Sequence, residues 1–184
     1  MKRQVVVGIT GASGAVYAQR LLEKLAAQAT TEVVVVFTDN GEQVFRYELG
    51  DDALSAIPFQ RYDISDFFVP FASGSSSFDT LIIIPCSMGT LAKVATGLAS
   101  DLISRTADVM LKEGRKLIIV PRETPYNLIH LQNMVQLKEA GGIICPANPS
   151  FYSKPETLIQ AIDTVIDRVL QLAGFTTATY QWGK

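Results

Sequence analysis

Gln4-Val5-Val6-Val7-Gly8-Ile9-Thr10 runs directly into Gly11-Ala12-Ser13-Gly14-Ala15, and the reading of this junction decides the fold. The first stretch is continuously apolar and β-branched, as expected of a strand covered on both faces of a parallel sheet. The second is a turn of small residues, with an amphipathic helical pattern opening immediately behind it. Small side chains let a backbone approach a ligand closely, and the first turn of a helix offers unpaired N–H groups and a partial positive charge. Strand, tight turn and helix in this order form a cradle for phosphate. The junction predicts an α/β protein that takes a nucleotide-type ligand at the turn.

The same alternation continues outward. Strands are predicted at Gln4–Ile9, Glu32–Phe37, Thr80–Pro85, Lys116–Val120 and Gly142–Cys145. Helices are predicted near Ala15–Ala27, Gly41–Tyr47, Thr90–Ala99, Leu102–Glu113, Tyr126–Ala140 and Pro155–Ala173. Near-continuous apolar strands separated by helices indicate an α/β three-layer αβα arrangement with a mainly parallel sheet. The segment Leu49–Ser77 breaks the rhythm and ends in Ser73-Gly74-Ser75-Ser76-Ser77, which reads either as a loose loop or as a ligand cover.

A chain of 184 residues, 48% hydrophobic, fills one core, so residues 1–184 read as a single domain. Its 16 basic and 18 acidic residues are well mixed and leave a net charge of −2. No basic stripe calls for nucleic acid, and no polybasic amphipathic segment calls for a membrane surface. The longest apolar run falls far short of the roughly 20 residues of a membrane span. A strand by Gln4 leaves no room for a signal peptide. Cys86 and Cys145 lie in no metal-type or C-x-x-C spacing and read as buried reduced thiols of a cytoplasmic protein.

The spacing Gly8-x-x-Gly11-x-x-Gly14 differs from both the dinucleotide and the P-loop fingerprints. Thr38, with Asp39 one step on, stands where a dinucleotide site would place a ribose-binding acid, so its hydroxyl reads as a phosphate or ligand contact. A third strand end, Pro85-Cys86-Ser87-Met88-Gly89-Thr90, repeats the theme of small hydroxyl residues opening a helix. Three such ends on one edge of a parallel sheet favour a mononucleotide or flavin site. Pro121-Arg122-Glu123-Thr124-Pro125 brings a stiffened Arg-Glu pair to the same edge. Asp101 is a candidate N-cap and Gly114 a candidate stop for a helix whose Arg105 and Lys112 share one face, either as a solvated face or as partners of an anion. Pro155 is expected to open the last helix, with Leu158, Ile162, Val165, Val169 and Leu172 as its buried stripe and Arg168 at the margin. His130, the one histidine, reads as structural, which disfavours triad hydrolysis. The lone Trp182, in an irregular tail, is expected to dock on a partner or a site.

Taken together, Gly11-Ala12-Ser13-Gly14-Ala15, Pro85-Cys86-Ser87-Met88-Gly89-Thr90-Leu91, Ala107-Asp108-Val109-Met110-Leu111-Lys112-Glu113, Pro121-Arg122-Glu123-Thr124-Pro125, His130-Leu131-Gln132-Asn133-Met134 and Phe151-Tyr152 resemble the flavin prenyltransferase (UbiX-type) family, in its order and spacing from Gly8 to Trp182. The resemblance implies a Rossmann-like or flavodoxin-like fold, a dodecamer with sites between subunits, and metal-independent prenylation of reduced FMN by dimethylallyl phosphate across N5 and C6. It implies that Gly11, Ala12, Ser13, Thr38, Ser87, Met88, Gly89, Thr90 and Arg122 hold FMN. Tyr152 and Arg168 would hold the allylic phosphate, helped by Arg105 and Lys112. Ser13, Glu48 and Glu123 match polar residues near the reacting atoms, and Trp182 an aromatic over the site. The chain departs from the family at Phe67, where relatives often carry Trp, and at Gln132, where they often carry Glu.

On this reading the leaving phosphate is met by fixed cations, which do the work magnesium does for diphosphates, and Phe67, Tyr152 or Trp182 would face the allyl cation at roughly 0.5–2 kcal/mol per ring. Glu123 would handle the proton that leaves C6, with Glu48 and Ser13 positioning. The product would serve a separate prenyl-FMN-dependent decarboxylase. Two alternatives are an FMN-dependent decarboxylase of the peptidyl-cysteine or phosphopantothenoylcysteine kind and a flavin carrier. The first is disfavoured by Cys86-Ser87-Met88-Gly89 standing where an Asn-bearing substrate motif would be expected.

Overall fold

A computed structural model describes residues 3–28, 30–177 and 183. Among these residues the chain forms six strands: β1 (Arg3–Ile9), β2 (Thr31–Phe37), β3 (Gln60–Tyr62), β4 (Thr80–Cys86), β5 (Lys116–Pro121) and β6 (Ile143–Ile144). Seven α-helices accompany them: α1 (Ala15–Ala26), α2 (Asp39–Leu49), α3 (Asp51–Ser55), α4 (Met88–Ala95), α5 (Leu102–Lys112), α6 (Leu128–Glu139) and α7 (Leu158–Ala173). The sheet runs β3-β2-β1-β4-β5-β6 with every pairing parallel. This is the doubly wound order, in which the winding reverses between β1 and β4 and leaves a crevice beyond their carboxyl ends.

The period of two along each strand sorts side chains between two cores. Val5, Val7, Ile9, Val33, Val35 and Phe37 pack on one face with Leu21 and Leu25 of α1, Phe45 of α2 and Val165 and Val169 of α7. Val6, Val34, Val36, Leu81 and Ile83 pack on the other with Leu91 of α4, Ile103 and Met110 of α5 and Leu137 of α6. The three-layer arrangement expected from the sequence is what forms. Asp101 caps α5 as expected, its carboxylate accepting the Ser104 N–H in a reciprocal capping box, and Gly114 follows that helix at φ +63°.

Several boundaries differ from expectation. The segment between Leu49 and Ser77 adds α3 and the edge strand β3, whose Gln60-Arg61-Tyr62 is too short and polar to show as a buried strand. Pro155 does not open α7; Thr157 caps it instead, accepting the Gln160 N–H. Leu158 consequently sits in the exposed first turn, at 75% exposure, while Ile166 and Leu170 join the buried stripe. The loop 73–77 is not loose, because the Arg115 guanidinium donates to the carbonyls of Gly74 (2.6 Å) and Phe78 (3.0 Å). It lies at the edge where the strands begin, with Asp79 bonded to Gln4, and so does not cover the crevice of its own chain.

Two features fix the helices that flank the crevice. Arg20 of α1 grips Asp163 of α7 through two bonds of 3.0 and 2.8 Å, and Lys24 reaches Asp167 at 2.6 Å. Burial raises the Asp163 carboxyl, but the Arg20 hydrogen bond and the Lys24 and Arg20 charges outweigh it and leave the group below its ordinary range. On the other flank α2 starts against the end of β1, and a Cβ at Gly41 would run into the Ile9 carbonyl. Gly41→Ala is therefore expected to destabilise the protein by about 1–3 kcal/mol through backbone overpacking, read as a lower urea midpoint at unchanged slope.

Candidate functional site

The crevice is closed at its base by Thr10. This buried hydroxyl donates to the Pro85 carbonyl at 2.8 Å and accepts the Ser87 N–H at 2.7 Å, tying the end of β1 to the end of β4. Arg122, just past β5, adds the third tie by donating from Nε to the Ser13 carbonyl at 2.6 Å. Sequence reasoning noted Thr10 only as the end of a strand. Its signal was a hydroxyl at the last buried position before a glycine turn.

Gly14 holds φ +108° at the start of α1, a conformation that favours glycine, and provides no side-chain cap. Glu48 of α2 supplies one. Its carboxylate accepts the Gly14 N–H (2.9 Å to the nearer oxygen) and the Ala15 N–H (2.7 Å). Burial raises the Glu48 carboxyl, yet the Ser13 hydroxyl, the Ala15 and Gly14 N–H groups and the Arg122 charge together hold it below its ordinary range. This corrects the expectation that the opening of α1 cradles phosphate: the anion at that helix start is the protein's own carboxylate. Ser13 and Glu48 are thus brought together, as expected, but in a capping arrangement.

Thr38 and Ser87 both act as N-caps. Thr38 Oγ1 accepts the Gly41 N–H at 3.0 Å, and Ser87 Oγ accepts the Thr90 N–H at 3.3 Å. Among the described residues no carboxylate lies across the first turn of α4, and the space above Gly89 is open. Gly11, Ala12, Ser13, Ser87, Met88, Gly89, Thr90 and Arg122 therefore surround the crevice between β1, β4 and β5, with α4 as the helix start left available. Small residues, hydroxyl caps and an uncovered N-terminus suit the carbonyl, hydroxyl and phosphate acceptors of a flavin mononucleotide.

Further along the same sheet edge, past β5, the loop after β6 and the face of α7 enclose a cavity of about 520 Å³. It is lined by Tyr152 and Arg168 together with Cys145, Asn148, Thr164 and Gln171. Cys145 is half-buried, unlike Cys86; burial pushes its thiol up, with Arg168 opposing. A neighbouring cavity of about 280 Å³ holds Arg122, Glu123, Tyr126 and Asn148. Glu123 accepts the Thr124 N–H at 2.9 Å. Tyr17 leans on this region, its hydroxyl 3.4 Å from the Ala147 carbonyl; burial raises its phenol while the Arg122 charge lowers it.

Arg105 and Lys112 share a face, as expected, but it is turned to the loop after β3. Arg105 Nε donates to the Ala72 carbonyl at 3.0 Å and pairs with Asp108, while Lys112 pairs with Glu113 beside Gly74. Lys112 closes α5 just before β5 begins, so it lies at the opposite sheet edge from Ser13. One chain does not bring it to Tyr152 and Arg168. Phe67 is exposed on the loop before Pro70, and Trp182 lies outside the described residues. His130 is structural in the sense expected: its Nδ1 accepts the Asn127 N–H (3.4 Å) in the capping box of α6.

Residues 1–174 match the family model described as Flavoprotein. A flavin prenyltransferase UbiX of Methanocaldococcus jannaschii is 43% identical over 183 residues, covering 98% of both chains. The crystal structure of AnUbiX (PadA1) in complex with FMN and dimethylallyl pyrophosphate superposes with a TM-score of 0.94 at 38% identity, covering 100% of this chain and 99% of that one. A dodecameric FMN-dependent UbiX-like decarboxylase from Escherichia coli O157:H7 gives 0.92 at 36% identity, covering 98% and 100%. Fold and crevice thus define a flavoprotein. Within that class the chain belongs to the flavin prenyltransferase (UbiX-type) family.

The Glu48 cap makes a direct prediction. A carboxylate at a helix start contributes up to about 1 kcal/mol, so Glu48→Gln is expected to melt about 2–4 °C below the parent at neutral pH. Because the folded carboxyl lies below its unfolded value, this contribution is present above the unfolded pKa and is lost as the pH falls through the folded one. The two melting curves should converge in acid.

Proposed function

We propose that this chain transfers the dimethylallyl group of dimethylallyl phosphate to reduced FMN, bonding it to N5 and C6 and giving prenylated FMN. The observation that carries the reading is the cavity that joins Tyr152 to Arg168 at the same sheet edge as the crevice and shares Asn148 with the cavity of Arg122 and Glu123. A guanidinium and a phenol hydroxyl lining one cavity suit a departing phosphate, and the Methanocaldococcus jannaschii relative named above is a flavin prenyltransferase.

Gly11 to Ser13, Thr38, Ser87 to Thr90 and Arg122 would hold FMN, which when bound supplies the electron-rich ring that accepts the prenyl group. The C1–O bond of the ester breaks, and the phosphate leaves with both bonding electrons. Arg168 and the Tyr152 hydroxyl stabilise that growing charge, which lowers the barrier without any reorganisation at the moment of reaction. C1 bonds to N5, which gives up its proton; the double bond then takes up one proton at C2 as its tertiary carbon bonds to C6, and the C6 proton leaves, so that in net one proton departs with the phosphate. Glu123 would receive the proton from C6. Glu48 acts indirectly, by holding the Ser13 turn. Fixing both reactants in one crevice supplies the rest.

The single chain leaves this site incomplete. Arg105 and Lys112 face away from Arg168, and α6 exposes Leu128, Ile129, Leu131 and Val135 to solvent. Assembly into a dodecamer, the state of the Escherichia coli neighbour, would cover that apolar face and bring one copy's α5 cations to another copy's Tyr152 cavity. The product would then pass to a separate decarboxylase that uses prenylated FMN. The free thiols Cys86 and Cys145 support a reducing, cytoplasmic setting, and no helix among the described residues is long and apolar enough to cross a membrane. The peptidyl-cysteine-type decarboxylase reading loses support because His130 is engaged in the α6 cap and lines neither cavity.

Anaerobic incubation with reduced FMN and dimethylallyl phosphate is expected to yield a flavin heavier by one C5H8 unit in mass spectrometry. Glu123→Gln should bind FMN as the parent does while product formation falls by about 100-fold or more. FMN bound and released unchanged by the parent protein would leave only a carrier. Product from the pyrophosphate ester at the same rate as from the monophosphate would overturn the choice of leaving group.

A further inference from the structure

Among the described residues Asn148 alone lines both cavities, the one of about 520 Å³ with Tyr152 and Arg168 and the one of about 280 Å³ with Arg122 and Glu123. Its backbone is tied on every side. Cys145 N–H donates to the Ile119 carbonyl (2.9 Å) and Ala147 N–H to the Pro121 carbonyl (3.1 Å), so the loop continues β6 alongside β5. Asn148 N–H turns back to the Pro146 carbonyl at 2.7 Å, and Ser150 N–H donates to Thr164 Oγ1 on α7 at 2.9 Å. The Tyr17 hydroxyl braces the Ala147 carbonyl from α1. The side chain itself is exposed and takes no part in these ties.

A carboxamide on a braced loop, between a guanidinium and a carboxylate, has a specific chemical use. A phosphate resting on Arg168 and Tyr152 would have Asn148, and beyond it the Glu123 cavity, on one side. With nothing between, its oxygens on that side would face a like charge across the boundary of the two cavities. A neutral N–H donor at the boundary satisfies one oxygen and separates the two anions, which neither an apolar nor an acidic side chain can do. We propose that Asn148 is a substrate-binding residue whose carboxamide N–H donates to the phosphate of the allylic ester and partitions it from Glu123. This rests on the reading of the Tyr152–Arg168 cavity as the phosphate site.

The test is anaerobic steady-state kinetics on the assembled protein, varying dimethylallyl phosphate at saturating reduced FMN. Asn148→Leu is expected to raise KM roughly tenfold, as for loss of one hydrogen bond to a charged group, with kcat held within about twofold. Asn148→Asp should raise KM further, and the gap between the Asp and Leu variants should narrow with added salt. Asn148→Gln should recover part of the loss. FMN affinity and melting temperature should stay at parental values in all three, because the side chain carries none of the loop's ties. An unchanged KM in Asn148→Leu, with KM raised in Arg168→Met, overturns the role of Asn148 alone. An unchanged KM in Arg168→Met overturns the cavity reading on which the proposal stands. A fall in FMN affinity or melting temperature in step with KM would make Asn148 a structural residue and equally reject the proposal.

Discussion

The carboxylate of Glu48 laid across the first turn of α1 is the interaction on which the arrangement of the crevice depends. Strand, small-residue turn and helix would ordinarily deliver an anion-binding site at that helix start. Here the site is filled from within by a residue 34 positions along the chain. The bond therefore does two things: it locks α2, with Thr38 at its head, against the Ser13 turn, and it leaves α4 as the helix whose N-terminus faces the crevice uncovered. That leaves the β4 side of the switch point, with the Ser87 cap and the open space above Gly89, as the room for a ligand.

Around that lock the strand ends are held by polar ties. Thr10 is buried, and a buried hydroxyl is tolerated only when both its donor and acceptor functions are used. Pro85 and Ser87 use both. Arg122 then connects the turn to the end of β5. Three strand ends are made into one rigid rim, which suits a site whose task is to hold two reactants in fixed relation. The α1–α7 pairs extend the same rigidity to Arg168, because Asp163 and Asp167 lie on the helix that carries it.

The elements that form the rim were legible in the sequence because their signals are local. A continuous β-branched run, a glycine turn and an amphipathic helix can each be read within a dozen residues, and Asp101 and Gly114 announced the ends of α5 in the same way. What stayed hidden was non-local or weakly patterned. Nothing about Glu48, on the polar face of α2, marks it as the cap of a different helix. β3 is a polar edge strand that owes its existence to pairing with Val34 to Val36, so no hydrophobic period announced it. Pro155 drew the start of α7 too early because proline is a permissive first residue, whereas the Thr157 capping box satisfies more backbone donors. Tyr152 and Arg168 were paired only through family resemblance, and the fold supplies the cavity that makes them neighbours.

Glu123 makes no ion pair among the described residues, although Arg122 is next to it in sequence and Arg168 lines the neighbouring cavity. Arg122 turns away because its guanidinium is spent on the Ser13 carbonyl. This separation matters for a residue assigned to proton removal. The Glu123 carboxylate accepts the Thr124 N–H and is held by no guanidinium among the described residues. The leaving phosphate imposes the opposite requirement, since it needs the positive charge to itself. Arg168 and Glu123 line different cavities, with the neutral Asn148 at their boundary, while Arg122 beside Glu123 is bonded to the Ser13 carbonyl. On the proposed reading, that division of charge would let one crevice stabilise an anion and accept a proton within a single reaction.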